Sequence, residues 1–151
     1  YVFYSQKVKS SDIMTQDPIA FSQTASYLQN YIDKKYELRI TTCCNDIVAC
    51  KIDSQAQSNT TGKIDWRQGY DYDLRHEIVD IPDSIKDFCL SFLKKMKLNF
   101  GCFDFIVTPD DEYVFLECNP NGQWLWIELV TGYDISEMVA RNLAINEIIK
   151  K

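Results

Sequence analysis

LNFGCFDFIVTPDDEYVFLECNPNGQWLWIE, residues 98–128, decides the fold of this 151-residue chain. The segments 103–107 and 113–117 are rich in aromatic and β-branched residues, and the intervening TPDDE has the composition of a turn. The stretch therefore predicts a β-hairpin. A four-residue loop, 109–112, would pair Thr108 with Tyr113, and counting back along both strands then places Asp104 opposite Glu117. Asn119 follows two residues later and would emerge on the same face.

These three side chains bring oxygen donors together, which is the ligand chemistry that Mg²⁺ prefers. The spacing alone leaves open an ordinary amphipathic hairpin whose acids are solvated. The metal hypothesis also depends on the loop length, because an odd-length loop would move Asp104 to the other face of the hairpin. A calcium loop built from 110–112 is disfavoured, since adjacent acids lack the alternating spacing of such loops.

Composition restricts the classes of protein that the chain can represent. Hydrophobic content of 46% and aromatic content of 13% exclude a disordered chain. A net charge of −6 and a pI near 4.7 argue against a nucleic-acid partner. No apolar run approaches the roughly 20 residues that span a bilayer, so no membrane partner is expected.

The six cysteines contain no C-x-x-C pair, which argues against a zinc site and favours free thiols in a reducing cytoplasm. Cys102 and Cys118 are expected to point into the core.

The rest of the chain predicts an α+β fold, an antiparallel sheet packed by helices. Two strands, 37–44 and 47–52, flank a predicted two-residue turn at Asn45-Asp46. The polar segment 54–69 is expected to be a mobile loop. Two helices are expected, one beginning at Pro82 and one capped by Asp134. Their predicted apolar faces are formed by Ile85, Phe88, Phe92, Leu93 and Met96 in the first helix, and by Ile135, Met138, Val139, Leu143 and Ile148 in the second.

Glu117-Cys118-Asn119-Pro120-Asn121-Gly122 resembles the E-x-N-P-N-G motif of the ATP-grasp ligases. The continuation QWLWIE, 123–128, is similar to a narrower group. This group comprises the ATP-grasp maturases of ribosomally made peptides, of the microviridin or graspetide type and its grasp-with-spasm relatives. Two upstream pieces agree with this resemblance: 29–39 is similar to that group's hinge and following strand, and Asp65-Trp66-Arg67 to its D-W-R element. The resemblance covers about residues 20–145.

The resemblance implies that residues 1–151 are the C-terminal portion of an ATP-grasp domain. The N-terminal domain and the glycine-rich phosphate loop are expected to be absent, because the five glycines are scattered. The implied cofactors are ATP and two Mg²⁺ ions, with Asp104, Glu117 and Asn119 as metal ligands. The isolated fragment is expected to be inactive.

The resemblance also assigns roles to upstream residues. Arg67 is the leading electrostatic catalyst and Arg39 the second, although Arg67 paired with Asp65 on the surface remains an alternative. Glu37 is a candidate ribose partner, with an exposed strand acid as the alternative. Trp124 and Trp126 either pack in the core or contact the peptide. The predicted adenine-binding hinge is formed by Gln29, Asn30, Tyr31 and Ile32.

The implied activity joins acidic side chains of a precursor peptide to hydroxyl or amine side chains through an acyl phosphate. The implied partner is a precursor peptide with a leader segment, and a homodimer is left open. The alternatives are another ATP-grasp carboxylate–amine ligase, of glutamate-adding or glutathione-synthetase type, and a non-catalytic nucleotide- or peptide-binding module.

Overall fold

The computed structural model describes residues 4–15, 17–23, 25, 27–56, 60–69 and 74–149. An antiparallel sheet forms its centre, with the strand order β3-β2-β1-β4-β5. The strands are β1 Tyr36–Cys43, β2 Asp46–Ile52, β3 His76–Val79, β4 Phe100–Val107 and β5 Tyr113–Asn119. The helices are α1 Ser10–Met14, α2 Pro18–Ser22, α3 Thr60–Ile64, α4 Asp83–Met96, α5 Leu125–Thr131 and α6 Ile135–Ile149, and short 3₁₀ turns cover Ser54–Ala56 and Trp66–Gly69. This architecture confirms the predicted α+β class.

One face of the sheet packs against α4. Alternate residues of the inner strands, among them Leu38, Ile40, Phe103 and Phe105, form a buried cluster with Cys89 and Leu93 of the helix. Leu93 is 3% exposed, whereas Met96, predicted on the same face, lies in the last turn and is 58% exposed. The helix ends because Lys97 adopts a left-handed conformation, with φ 56°.

The opposite face of the sheet has an apolar end and a polar end. At the apolar end, α5 and α6 cover the sheet, with Ile127, Ile135 and Met138 packed against Val48 and Cys50. The predicted cap of α6 is confirmed, because Asp134 Oδ1 accepts a hydrogen bond from Glu137 N at 2.7 Å. Leu143, predicted inward, is 61% exposed, and the side chain of Ile148 lies outside the described residues.

The β4–β5 hairpin differs from its prediction in two ways that cancel each other. Val107, not Thr108, pairs with Tyr113, so the loop has five residues and an odd length. A β-bulge then interrupts the ladder between Asp104 and Phe105, because Phe105 pairs with Phe115 and Asp104 with Glu117. Leu116 is the extra residue, and it restores the predicted opposition of Asp104 and Glu117.

Two further predictions of local structure are wrong, and one strand was missed. The β1–β2 turn is Cys44-Asn45 rather than Asn45-Asp46, since Cys43 pairs with Asp46 and Cys44 has φ 54°. The polar segment after β2 forms α3 and two 3₁₀ turns in its described part. Strand β3 was not predicted, because four residues are too few to show a periodicity.

Cys102 is buried as predicted, but on the same face as Asp104, since residues two apart in a strand share a face. Its Sγ lies 3.8 Å from Thr41 Oγ1.

None of the helices in the described residues has both the length and the apolar composition that a membrane span requires.

Gly122 allows the loop after β5 to lie directly on β4. A Cβ at this position would meet Cys102 Cβ at 2.4 Å and Cys102 Sγ at 2.6 Å. We therefore expect Gly122→Ala to lower the free energy of unfolding by about 1–3 kcal/mol, because the strand atom cannot move aside. Urea denaturation measures this change. Asn121→Ala, at an exposed neighbouring position, is the matched control, and equal stability of the two variants would contradict the close approach.

Candidate active site

A row of charged side chains crosses the polar end of the sheet. Arg39 of β1 pairs in register with Asp104 of β4, which pairs with Glu117 of β5. Because directly opposed residues point to the same face, the three side chains lie side by side. Arg39 Nε lies 2.7 Å from Asp104 Oδ1, although its N–H makes no hydrogen bond of good geometry, so the contact is an ion pair.

The Asp104 carboxyl lies between the carboxylate of Glu117 and the guanidinium of Arg39. Burial raises its pKa, the neighbouring Glu117 carboxylate raises it further, and Arg39 opposes both, with the result that the pKa is about 6. Glu117 is exposed on the edge strand. The two carboxylates repel one another, and a cation bound between them would relieve that repulsion.

The structure places Asn119 at the margin of this site. Asn119 pairs with Cys102, two residues from Asp104, so the register puts it on the predicted face. Its Oδ1 accepts a hydrogen bond from Asn121 N at 2.9 Å, within the turn that follows β5. One lone pair of the amide oxygen therefore supports the turn, and the second remains for another contact.

Arg67 lies in the 3₁₀ turn after α3 and is held by Asp65. Its Nε and one terminal nitrogen, Nη2, donate to the two carboxylate oxygens of Asp65 at 2.9 and 2.6 Å. Ser5 N donates to the same carboxylate at 2.9 Å. Burial alone would raise the pKa of the Asp65 carboxyl, but these hydrogen bonds outweigh burial and the pKa is lowered. The ion pair between Arg67 and Asp65, which the sequence analysis kept as an alternative, is therefore present.

These groups surround one cavity of about 610 Å³. The sheet row forms one wall, and residues 27–32 together with 5–8 form another. The structure thus brings nine of the ten predicted site residues to a single cavity, and Asn119 is the exception. The nine are Gln29, Asn30, Tyr31, Ile32, Glu37, Arg39, Arg67, Asp104 and Glu117.

The predicted hinge, 29–32, has no regular secondary structure and lines the cavity. Lys7 Nζ lies 3.7 Å from the centre of the Tyr31 ring, a cation–π contact that joins the two segments of this wall. Lys35 N donates to Val107 O at 2.7 Å and fixes the chain where it enters β1.

Glu37 is buried, not an exposed strand acid. Its carboxylate accepts hydrogen bonds from Lys34 Nζ and from Ser54 Oγ. Burial raises the pKa of the Glu37 carboxyl, and the two donors oppose that effect. The predicted ribose partner therefore already has a partner on each carboxylate oxygen.

Sequence reasoning missed two sets of residues at this site. Lys34 and Ser54 gave no signal, because a lysine and a serine in polar segments are usually solvated. The second set is an aromatic cluster in which Trp66 stacks on Trp126 at 5.1 Å and His76 contacts both rings. Trp124 packs on Phe100 at 5.3 Å, so both C-terminal tryptophans are packed against other aromatic residues.

Comparisons with known proteins identify the class to which this arrangement is similar. Structural neighbours include a RiPP-associated ATP-grasp ligase from Chryseobacterium gregarium, in complex with ADP and a leader and core peptide. It is 35% identical, with a TM-score of 0.70, over 78% of this chain and 35% of that one.

The macrocyclase MdnC of Microcystis aeruginosa MRC, bound with precursor peptide MdnA, is 35% identical, with a TM-score of 0.62, over 76% of this chain and 34% of its own. The macrocyclase MdnB of the same organism is 30% identical, with a TM-score of 0.58, over 89% of this chain and 45% of its own.

These neighbours confirm the predicted resemblance: the chain has part of the fold of the RiPP-associated ATP-grasp ligases. It spans between about a third and under a half of the length of these proteins. No family model matches the sequence, and no protein of curated function matches it.

The Asp65–Arg67 pair makes stability depend on pH. Because the pKa of Asp65 is lower in the folded chain, its stabilising effect is complete above the unfolded value, about 3.9, and is lost as the pH falls through the folded value. We expect Asp65→Asn to lower the free energy of unfolding by about 1–3 kcal/mol at neutral pH and by less below about pH 4. Urea denaturation across this range, with Asp110→Asn as control, measures the difference. If Asp65→Asn lowered the free energy of unfolding by the same amount at every pH, the assignment of an ionised Asp65–Arg67 pair would be contradicted.

Proposed function

We propose that this chain is part of an ATP-dependent ligase that joins acidic side chains of a precursor peptide to hydroxyl or amine side chains, through an acyl phosphate. The observation that carries the proposal is the convergence of Arg39, Arg67, Asp104 and Glu117 on one cavity. The identity of 30–35% to peptide-bound or macrocyclising ligases supports a peptide substrate. The other ATP-grasp ligases and the non-catalytic module remain outcomes of the tests below.

The proposed metal ligands fit Mg²⁺ by their chemistry. Asp104 and Glu117 are opposed on adjacent strands and supply carboxylate oxygens, and Asn119 supplies an amide oxygen on the same face. The described residues contain no group of three or more His, Cys, Asp or Glu that could hold a metal ion, so the proposed site depends on the Asn119 amide for its third ligand. Two Mg²⁺ ions would neutralise the phosphates of ATP and the charge that develops during transfer.

Arg67 is the proposed electrostatic catalyst. Its side chain is 45% exposed and lines the cavity, while Asp65 holds one edge of the guanidinium. The planar fork suits the oxygens of a transferring phosphoryl group or of an acyl phosphate. Arg39 is the second proposed catalytic arginine: it is ion-paired with Asp104 and would hold that carboxylate in position and contact phosphate beside it.

The segment 29–32 is the proposed adenine site, with its backbone groups recognising the base, and Glu37 is the proposed ribose partner.

A leader-bearing precursor peptide is the proposed partner, and no membrane or nucleic acid is proposed to take part. None of the six cysteines forms a disulfide, which suits the proposed cytoplasmic location. Turnover is proposed to need the remainder of the ligase.

Glu117→Gln tests the metal site. The variant keeps the size of the side chain but removes the charge, so we expect the Kd for ATP measured with Mg²⁺ to rise at least tenfold, about 1.4 kcal/mol. Isothermal titration calorimetry of ATP, with and without Mg²⁺, measures the change. Glu112→Gln, on the exposed hairpin loop, is the control, and equal affinities of the two variants would contradict the assignment of Glu117.

Arg67→Ala tests the reaction. In a complete ligase containing this segment, we expect the variant to lose about 10²–10³-fold in kcat for peptide cross-linking, because a donor to the transition-state charge is removed. Mass spectrometry follows the loss of one water for each cross-link. The control is Arg75→Ala, at an exposed position.

The same assay separates the alternative functions. ADP formation with a free amino-acid acceptor, and none with peptides, would favour the other ATP-grasp ligases. No turnover by the wild-type ligase would favour a binding module.

A further inference from the structure

Lys34 connects the strand that carries Arg39 to the segment that carries Arg67. Its Nζ donates to Glu37 on β1 and, at 2.9 Å, to the backbone carbonyl of Ile64. Ile64 is the last residue of α3 and directly precedes Asp65. The Lys34 side chain is 6% exposed, so both contacts are made away from bulk water.

A second set of bonds runs parallel to this one. Ser54 Oγ donates to Glu37, and Gln55 Nε2 donates to Lys63 O at 3.0 Å. Gln55 and Lys34 therefore bind successive carbonyls at the C-terminal end of α3, Gln55 that of Lys63 and Lys34 that of Ile64. These carbonyls lack helical partners, and cationic or amide donors at a helix end satisfy them.

The segment that carries Arg67 depends on these bonds because its packing against the sheet is slight. Helix α3 makes its main contacts with the two flanking 3₁₀ turns, and the first of these turns contacts β1. On the far side of Arg67, Trp66 stacks on Trp126. Lys34 and Gln55 are thus polar anchors on one side of the turn, and the aromatic stack lies on the other.

We propose that Lys34 is a positioning residue, which sets the place of Asp65 and Arg67 at the cavity by binding the Ile64 carbonyl. The role of the positioned Arg67 in catalysis rests on the proposed function, but the positioning itself does not. Lys34 acts through the backbone, so its effect reaches the guanidinium without direct contact.

Amide hydrogen exchange tests the positioning. Lys34→Met alone would leave Glu37 as a buried uncompensated charge, so the informative variant is Lys34→Met with Glu37→Gln. We expect the amides of Asp65 and Gln68, bonded to Thr61 O and Asp65 O, to exchange at least about tenfold faster than in the wild type. Amides of β1 and β4 should keep their rates. Unchanged rates at Asp65 and Gln68 would overturn the proposal.

Lys35→Met is the matched control. Lys35 is the next lysine, half exposed and paired with Asp111 at 2.6 Å on the surface, so its loss should leave the exchange of Asp65 and Gln68 as in the wild type. If the double variant does not fold, Lys34→Gln is measured instead, with the same expectation. Equal acceleration by the Lys34 and Lys35 variants would also overturn the proposal.

Kinetics of a complete ligase separate positioning from direct contact with the nucleotide. We expect Lys34→Met with Glu37→Gln, compared with Glu37→Gln alone, to lower kcat with the KM for ATP within about threefold, and to have little further effect in an Arg67→Ala background. A rise in that KM at constant kcat would overturn the positioning role. If the wild-type ligase shows no activity, the proposed function fails, and hydrogen exchange still decides whether Lys34 positions the segment.

Discussion

The antiparallel pairing of β1, β4 and β5 is the constraint on which the candidate site depends. Side chains in a sheet alternate between faces, so a shift of one residue would bury the charged groups against α4. In the observed register, Arg39, Asp104 and Glu117 form one row. The bulge at Leu116 is part of this constraint, because the five-residue loop alone would have placed Leu116 opposite Asp104.

One face of the sheet forms the main apolar core, and the other face carries the candidate site. The face toward α4 is apolar, and rings such as Phe88, Phe103 and Phe115 contact one another there. The other face is covered by α5 and α6 at one end and open to the cavity at the other. Glu117 is exposed at the open end, whereas Glu37 and Asp65 are buried and have hydrogen-bond donors on both carboxylate oxygens.

Charge pairing links the parts of the cavity that come from distant segments. Lys34 joins β1 to α3, Asp65 joins Arg67 to Ser5, and Arg39 joins β1 to β4. Removing one member leaves a buried partner unsatisfied, which costs more than the loss of a surface contact. The cavity wall therefore behaves as a connected set of contacts, and the aromatic stack of Trp66 on Trp126 adds a link to α5.

The sequence by itself determined the fold class, both long helices, the hairpin and most of the candidate site. Periodic apolar residues and local motifs carry that information, and Asp104, Glu117 and Arg67 each lie in such a motif. Only the tertiary structure decided the five-residue loop with its compensating bulge, the helix within 60–64, the strand β3 and the buried state of Glu37. These features depend on contacts between residues far apart in the chain. Short elements and isolated polar side chains leave no periodic signal from which such contacts could be inferred.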